Sequence, residues 1–459
     1  KQIMKTNKIK SLKRTTKILS CILLMIFMSS HYCNSQSIQE EVEAYMQVQR
    51  KLDNFSGSIL LAKDNDILFS KSYGMASYEH NVKNTPQTKF RIASMTKQFT
   101  AMAIMQLCEK GFLDINDKLS KFIPDFPQGD DITIHQLLIH TSGILDFLYT
   151  TEYQNIKTVK TPLSDIIDII KAQPLEFSPG ERTEYSNSGY VILGYIIEEV
   201  SGSSYEDYLH QNIFGPLDMG NTCCSDYNDI IINRASGYSV GHDGIINADY
   251  TDMSFADGSG WLYSTTEDLY LWDRALYTQK ILSKDYMEKI FTPYNEKKGY
   301  GWVISEKNGR RKTSASGRVE GFHTRILRYP DENACIIVLS NYYHGKVSTI
   351  SKDLASIMFG DEYKIPEVKQ YITITGDDLF DYAGNYEFEP GNNLKVLVEN
   401  GKLLMAPPGQ PLVELFPESE TRFHIKAFDA YLEFQKDEKG VIKELVFLIG
   451  GNKMKARKI

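Results

Sequence analysis

The chain has 459 residues, of which 42% are hydrophobic and 24% charged, a composition typical of a globular protein with two or three domains and not of a disordered chain. The formal net charge is −8, and residues 1–35 contain seven Lys or Arg and no acidic residue, so the remainder carries −15. A remainder this acidic argues against nucleic acid and anionic membrane surfaces as main partners.

The N-terminal segment has the order of regions found in a secretory signal peptide. Residues 1–17 are basic, Ile18 to Met28 form an apolar run of eleven residues, and residues 29–35 are mostly small and polar. Eleven apolar residues are too few to span a bilayer comfortably. We predict a signal peptide over residues 1–35, cleaved after Ser35, and a secreted or periplasmic protein of the bacterial envelope. Lipidation at Cys33 and retention as an N-terminal anchor are the alternatives.

The next 325 residues combine strand and helix patterns. Gly57 to Gly74 predicts two short strands around the polar turn Asp64-Asn65-Asp66. Helical patterns dominate residues 112–290, for example at Ser164–Lys171, Gly189–Val200 and Thr265–Tyr277. Strand patterns return at Gly299–Ser305, Thr324–Tyr329 and Ala334–Ser340, followed by a helical pattern at Lys346–Phe359. Strands at both ends with helices between them predict a mostly antiparallel sheet covered by helices, an α/β (α+β) fold.

The C-terminal part has strand patterns only. They occur at Leu394–Val398, Lys402–Met405, Arg422–Ile425, Ala430–Gln435 and Lys443–Ile449, with Asn400-Gly401 as a hairpin turn. After the signal peptide, the sequence therefore predicts a mixed domain (36–360), a charged linker that contains Pro366 (361–377) and a small all-β domain (378–459).

An S-x-x-K motif occurs at residues 94–97. At positions i and i+3 of a helix, the Ser94 hydroxyl and the Lys97 amine lie on one face, about one turn apart. No Gly or Pro occurs from Gln98 to Lys110, so a helix is predicted there with Gly111 as its C-terminal cap. A buried lysine has a lowered pKa and can accept the proton of a serine nucleophile. The helix N-terminus also favours a developing oxyanion.

A second polar motif, Y-x-N, occurs at residues 185–187 on a loop before a predicted helix. Tyr185 can relay a proton between the serine and a leaving group, and Asn187 can hold Lys97 or a substrate carbonyl. The alternative is a half-buried turn tyrosine, because Y-x-N is common and residues 153–155 match it as well.

The two motifs together resemble the serine β-lactamase and DD-peptidase superfamily, most closely its class C branch with many esterases and D-peptidases. Four segments resemble family signatures in the expected order, namely FRIASMTK (90–97), LLIHTSG (137–143), FSPG (177–180) and YSTTEDL (263–269). The resemblance covers roughly residues 40–358. It implies a β-lactamase/transpeptidase-like fold, an antiparallel sheet flanked by helices with a helical subdomain. Residues 378–459 resemble, more loosely, the lipocalin-like β-domain appended to some of these hydrolases.

The resemblance also implies a mechanism without metal or cofactor. Ser94 is the implied nucleophile, Lys97 the general base and Tyr185 the relay of the proton to the leaving group. Substrate-binding roles are implied for Asn187, Ser316, Gly317 and Arg318, with the backbone N–H groups of Ser94 and Arg318 forming the oxyanion hole. Water then hydrolyses the acyl-serine intermediate.

The third family motif, K-T-G or H-x-G on an edge strand, departs from the family pattern. It lies six residues before a Gly-Phe pair, which is Gly321-Phe322 here, and residues 314–317 read Ser-Ala-Ser-Gly. Ala315 stands where the family has a Lys or His that provides positive charge or a hydrogen bond. Its absence weakens the case for β-lactams and for peptides with a free C-terminal carboxylate. Arg318 or His323 are candidate replacements; the alternative, which we prefer for His323, is an ordinary solvent-facing residue.

His140 is the other residue that resembles a catalytic group. The chain has no G-x-S-x-G motif, so a Ser-His-Asp hydrolase would lack its nucleophile. We therefore expect His140 to make structural hydrogen bonds near the site. The spacing of Cys and His residues does not predict a metal site.

Two functions remain. The preferred one is a secreted serine hydrolase, a D-amino-acid peptidase or esterase with weak or no β-lactamase activity, acting on a small peptide, ester or β-lactam-like substrate. The other is a catalytically impaired binding or sensing protein of the penicillin-recognising type, supported only by Ala315. The combination of Ser94, Lys97, Tyr185 and Asn187 favours the enzyme. The sequence leaves open the oligomeric state and the role of the β-domain.

Overall fold

A computed structural model of the chain describes residues 37–224, 230–241, 244–295, 297–343, 345–374, 376–389, 392–406, 412–425, 430–450 and 452–459. The predicted signal peptide lies outside these described residues. None of the helices in the described ranges is both long and apolar enough to cross a membrane.

The helices and strands follow in chain order. The first are α1 (37–51), β1 (Gly57–Lys63), β2 (Asp66–Tyr73), β3 (Met75–Ser77), β4 (Val82–Lys83), β5 (Phe90–Arg91), α2 (Lys97–Glu109), α3 (Ile134–Leu138), α4 (Thr151–Ile156), α5 (Leu163–Lys171), α6 (Asn187–Ser201) and α7 (Tyr205–Leu209). The next are β6 (Cys223–Cys224), β7 (Tyr238–Gly241), β8 (Gly244–Asn247), β9 (Leu262–Ser264), α8 (Thr266–Ala275), α9 (Lys284–Ile290), β10 (Val303–Lys307), β11 (Arg310–Val319), β12 (Phe322–Tyr329), β13 (Ala334–Ser340) and α10 (Val347–Phe359). The C-terminal strands are β14 (Gly384–Glu389), β15 (Asn392–Glu399), β16 (Lys402–Ala406), β17 (Val413–Glu414), β18 (Phe416–Pro417), β19 (Arg422–Ile425), β20 (Ala430–Lys436), β21 (Ile442–Ile449) and β22 (Asn452–Lys458).

A six-stranded antiparallel sheet in the order β10-β11-β12-β13-β1-β2 organises the larger part of the chain. β1 pairs with β13, with Gly57 opposite Ser340, so the sheet joins the two ends of this part. The predicted α+β fold, with a sheet built from both ends and helices between, is confirmed. The hairpin between β1 and β2 turns at Asp64 and Asn65, both with positive φ, as the polar turn predicted.

The sheet is covered on both faces, because successive side chains of a strand point to opposite sides. In β1, Ile59 and Leu61 pack into the core that includes α1 and α10, while Leu60 and Ala62 pack into the core that includes α2. Every residue of α2 except Glu109 is buried. A helix that is buried all round holds its N-terminal turn in a fixed position relative to the sheet.

The segment before β10 differs from its prediction. The sequence pattern predicts a strand from Gly299, but β10 begins only at Val303. Gly301 has φ +75°, a left-handed conformation that favours glycine, and a Cβ there would lie 2.7 Å from the Lys97 carbonyl oxygen. The apolar residues of this segment therefore pack against the start of α2 as an irregular turn.

The strand of the third motif is not a sheet edge along its whole length. β11 lies between β10 and β12, but its pairing with β10 ends at Ser314, opposite Val303. Ala315 to Val319 pair only with β12, so the motif occupies an open part of an interior strand. This open part borders the turn that carries Ser94.

The C-terminal strands form one nine-stranded sheet in the order β17-β16-β15-β14-β22-β21-β20-β19-β18. Its two end strands, β17 and β18, are separated in the chain by Leu415 alone, so the sheet is a nearly closed up-and-down barrel around its own core. The all-β character and the Asn400-Gly401 turn are confirmed. β14, β17, β18 and β22 were not predicted. Residues 361–374 form neither strand nor helix.

A buried ion pair joins α8 to the sheet. Asp273 is fully buried and pairs with Arg328 of β12, which is 2% exposed, and also with Arg274. We expect Asp273→Asn to lower the free energy of unfolding by about 3–5 kcal/mol, because it leaves buried guanidinium charge unpaired. Denaturant unfolding followed by tryptophan fluorescence measures this, since all three Trp residues precede the barrel.

The matched control is Asp331→Asn, which breaks the exposed pair with Arg311 and is expected to change stability little. Equal effects of the two substitutions would contradict the assignment of the buried pair as a structural link.

Candidate active site

Ser94 lies in a 3₁₀ turn, Ala93–Thr96, that leads directly into α2. The residue before it, Ala93, has φ 47°, a left-handed conformation that costs free energy for a residue with a Cβ. Such strain persists only where the surrounding structure enforces it, and here β5, just before the turn, is paired with β9. The predicted position of Ser94 at a helix N-terminus is thus refined to the turn immediately before the helix.

The Lys97 amine is the centre of the site. It is 3% exposed, and its Nζ lies 3.1 Å from Ser94 Oγ, 2.8 Å from Asn187 Oδ1 and 2.7 Å from the carbonyl oxygen of Ser259. The amide and carbonyl oxygens can only accept hydrogen bonds, so two N–H bonds of the amine point to them. A neutral amine then has its lone pair left for the Ser94 hydroxyl.

Burial makes the neutral form of this amine accessible. Desolvation lowers the pKa of Lys97 to about 7, while the negative charge of Asp146 acts in the opposite direction. An amine with this pKa is substantially neutral near pH 7 and can accept a proton there. Lys97 therefore has the geometry and the basicity of a general base for Ser94.

Tyr185 approaches Ser94 as a hydrogen-bond donor. Its hydroxyl lies 2.8 Å from Ser94 Oγ and 3.4 Å from Asn187 Oδ1. The enclosure of the hydroxyl raises the pKa of Tyr185 to about 12, so it carries its proton at neutral pH. The residue as a whole is 42% exposed, so only its hydroxyl end is enclosed.

Asp146, which the sequence did not single out, fixes Asn187. Its Oδ2 accepts hydrogen bonds from the Asn187 backbone N–H at 3.2 Å and from Asn187 Nδ2 at 2.7 Å. With the Nδ2 group held this way, the amide oxygen must face Lys97. Asp146 is buried among apolar residues of the segment 144–148, and a buried acid in an apolar run is the signal that would have identified it.

His140 lies behind Tyr185. Its ring stacks on Tyr185 at 4.6 Å and on Tyr190 at 5.2 Å between centroids, and its Nδ1 accepts a hydrogen bond from the Ser186 N–H at 3.3 Å. Burial, together with the charges of Lys97 and Lys298, lowers the pKa of His140 well below its usual value. A neutral ring at this place supports the tyrosine.

β11 closes the other side of the turn. A Cβ at Gly317 would lie 2.1 Å from the Ile92 carbonyl oxygen and 2.9 Å from the Ser94 nitrogen, so only glycine allows this approach. Thr324 of β12 donates a hydrogen bond to the same Ile92 oxygen at 2.9 Å. The backbone of Gly317 therefore passes beside Ser94, and the oxyanion hole formed by the N–H groups of Ser94 and Arg318 stays a prediction. Ser316 is exposed on the open part of β11.

The two candidate replacements for the third-motif charge, His323 and Arg318, differ in exposure and in charge. His323 is buried, not solvent-facing as preferred from the sequence, and its Nδ1 lies 3.0 Å from the Gly345 carbonyl oxygen. Burial lowers the pKa of His323 to about 4, so it carries no charge near neutral pH. Arg318 is exposed and borders the cleft, with its guanidinium 5.1 Å from the Tyr343 ring. Ala315 is buried in the core.

A cleft of about 230 Å³ opens above Ser94 and is also lined by Asn187 and Arg318. Tyr153 and Gln154 line it too, so the second Y-x-N match, set aside on sequence grounds, contributes to the cleft wall. A neighbouring cavity of about 280 Å³ shares three lining residues with it, namely Thr251, Met253 and Glu320. The cleft at Ser94 is therefore of small-molecule or short-peptide size. Within the described ranges, no group of three or more His, Cys, Asp or Glu residues is placed to hold a metal ion.

Comparison of the amino-acid sequence with known proteins identifies relatives of this chain. The family model described as Beta-lactamase matches residues 39–355. Penicillin-binding protein 4* of Bacillus subtilis (strain 168) is 32% identical over an alignment 434 positions long, which covers 88% of this chain and 95% of that protein. The match to this relative therefore extends beyond the residues that the family model covers.

Solved structures share the fold. The octameric penicillin-binding protein homologue from Pyrococcus abyssi is 25% identical, with a TM-score of 0.63 over 91% of this chain and 99% of that one. The D-amino acid amidase from Ochrobactrum anthropi SV3 is 22% identical, with a TM-score of 0.61 over 71% and 98% of the two chains. This second likeness establishes the fold alone.

The charge of Asp146 makes it possible to test how the labelling rate of Ser94 depends on pH. We expect labelling of Ser94 by a fluorophosphonate to be slow below pH 7, where Lys97 is protonated, and to rise with a midpoint of about 7. Asp146→Asn keeps an oxygen acceptor for Asn187 but removes the charge that raises the Lys97 pKa, so the midpoint should move to lower pH. The measurement is the labelling rate against pH, by mass spectrometry.

Asp165→Asn, an exposed substitution on α5, is the control and should leave the midpoint in place. A midpoint that Asp146→Asn does not move would contradict the electrostatic link between Asp146 and Lys97.

Proposed function

Because this chain belongs to the Beta-lactamase family of serine hydrolases, we propose that it cleaves amide or ester bonds through an acyl-serine intermediate. The observation that carries the proposal is the contact of the Ser94 hydroxyl with a buried amine, Lys97, whose pKa is about 7. A serine hydroxyl needs a base of this kind to act as a nucleophile near neutral pH.

In the proposed acylation, Lys97 takes the proton of Ser94 while Oγ attacks the substrate carbonyl carbon. The N–H groups of Ser94 and Arg318 stabilise the oxyanion of the tetrahedral intermediate. When the intermediate collapses, the bond to the leaving nitrogen or oxygen breaks, and Tyr185 gives that atom its proton. Lys97 returns the proton from Ser94 to Tyr185, so the site regains its starting protonation state. Water then attacks the acyl-serine by the same route.

The proposed substrate is a short D-amino-acid peptide or amide or a small ester. The cleft at Ser94, of about 230 Å³, is small, which suits such a molecule. The likeness of fold to a D-amino acid amidase is compatible with this class. β-Lactam hydrolysis is proposed to be weak or absent, because Ala315 gives no charge for a carboxylate at the third-motif position.

A binding or sensing protein is the second candidate, and Ala315 is the observation that favours it. The hydrogen bonds among Ser94, Lys97, Tyr185 and Asn187 weigh against it, because recognition without chemistry does not require a lysine with its charge suppressed. We therefore place the enzyme first.

Exposure of the folded protein to a fluorophosphonate and to a penicillin, followed by mass spectrometry, tests the proposal. We expect a fluorophosphonate adduct on Ser94 and hydrolysis of D-aminoacyl amides or esters faster than of a β-lactam. Ser94→Ala should abolish both adduct and turnover, since the nucleophile is gone. Ser164→Ala, an exposed serine on α5, should change neither.

Folded protein that forms no adduct with either reagent and turns over none of these substrates would support the binding protein instead. An adduct on a serine other than Ser94 would contradict the assignment of the nucleophile.

We also propose that the protein acts outside the cytoplasm, guided by residues 1–35. Expression of the full sequence in a bacterial host should give an exported product whose N-terminal sequence begins at Gln36, while a chain that starts at Gln36 should stay in the cytoplasm. Cell fractionation and N-terminal sequencing measure this. A full-length product that is retained in the cytoplasm with residues 1–35 attached would contradict export.

A further inference from the structure

Lys298 lies beside the proposed relay tyrosine, although it belongs to neither family motif. It is in the turn between α9 and β10, where its N–H donates to the Asn295 carbonyl oxygen at 2.8 Å and its own carbonyl oxygen accepts from the Tyr294 N–H at 2.9 Å. The backbone of Lys298 is therefore fixed on both sides. Its Nζ lies 5.9 Å from the centroid of the Tyr185 ring.

Few charged groups face Tyr185 from the elements around it. Lys97 of α2 places its Nζ 5.1 Å from the ring centroid, and Asp146 acts on the hydroxyl from the segment before α4. His140, which packs against the ring, is neutral because burial lowers its pKa well below the usual value, with Lys298 acting in the same direction. Lys298 is thus a positively charged side chain near the ring that, unlike Lys97, takes no part in the proton transfer from Ser94.

Arg318 and His323, the two candidate replacements for the third-motif charge, have other partners. The Arg318 guanidinium lies over the Tyr343 ring and 3.3 Å from His323 Nδ1. His323 itself is buried and neutral near pH 7. In the described ranges, no ion pair to a carboxylate is formed by Lys298, so its charge is available to the site.

We propose that Lys298 provides, from the turn before β10, the positive charge beside Tyr185 that Ala315 does not provide, and that it acts as a positioning residue for the proton relay. This rests on the proposed function. When Tyr185 gives its proton to the leaving group, it becomes a phenolate until Lys97 returns the proton taken from Ser94. An ammonium group near the ring, on a residue whose backbone is held in the turn, stabilises that phenolate and favours the deprotonated state of the Lys97–Tyr185 pair.

The size of the effect follows from distance and exposure. A cation 5.9 Å from the centroid of the Tyr185 ring, at a partly exposed position, is expected to change the rate by about three- to tenfold and the apparent pKa by about half a unit. Removing the positive charge makes proton loss harder. The acidic limb of kcat/KM therefore moves to higher pH in Lys298→Met, and kcat falls.

The test compares Lys298→Met and Lys298→Arg with Lys297→Met, an exposed neighbour on the same turn. Profiles of kcat and KM against pH are measured with an N-acetyl-D-alanine ester of an uncharged alcohol and with the same ester whose alcohol bears a free carboxylate. We expect Lys298→Met to lower kcat three- to tenfold on both esters, with the acidic limb displaced by about half a pH unit. Lys298→Arg should have nearly the kcat and the acidic limb of the unsubstituted protein, because it keeps the positive charge. Lys297→Met should match the unsubstituted protein in both quantities.

Unchanged kcat and an unmoved acidic limb in Lys298→Met would overturn the inference. So would a loss confined to the carboxylate-bearing ester and to KM, which would make Lys298 an anchor for substrate. Fluorophosphonate labelling of Ser94 is measured in every variant. If Lys298→Met is folded, is labelled and has a normal pH profile, only the role of Lys298 is refuted. If the unsubstituted protein is neither labelled at Ser94 nor hydrolyses substrate, the proposed function is refuted.

Discussion

The burial of a single amine, that of Lys97, is the constraint on which the site depends. An ammonium group in this position would need a carboxylate partner, and Asp146 reaches it only through the Asn187 amide. The structure instead stabilises the neutral amine with two acceptors, Asn187 Oδ1 and the Ser259 carbonyl oxygen, and leaves Ser94 as its third neighbour. Desolvation, which costs a charged lysine free energy, is therefore what makes this lysine a base at neutral pH.

The fold brings the partners of this amine from distant parts of the chain. α2 is buried all round and carries Lys97 in its first turn, α6 begins with Asn187, and the open part of β11 presses Gly317 against the turn of Ser94. The strained φ of Ala93 is held between these elements. Because each contact limits the movement of the next, the Ser94 hydroxyl has Lys97 on one side and Tyr185 on the other before any substrate binds.

What the sequence could predict was local. S-x-x-K and Y-x-N place side chains within a few residues of each other, and alternating patterns identify β1, β2 and β13 because those strands are long and half of each packs on a core. Asp146, Ser259 and Lys298 were missed because their contacts with the site join residues far apart in the chain, which only tertiary packing creates. Gly299 was assigned to a strand because its neighbours are apolar, but those residues are apolar because they pack on α2 in an irregular turn. β17 and β18 were missed because each has two residues, which are too few to form a recognisable pattern.

The central claim, that Lys97 is a neutral base at physiological pH, is tested most directly by its own titration. Lysine labelled with ¹³C at Cε gives an NMR signal that follows the charge of each amine, and the signal absent from Lys97→Met identifies the residue. The structure predicts a transition with a pKa of about 7. A Lys97 signal that titrates near the usual lysine value of about 10.4 would contradict it.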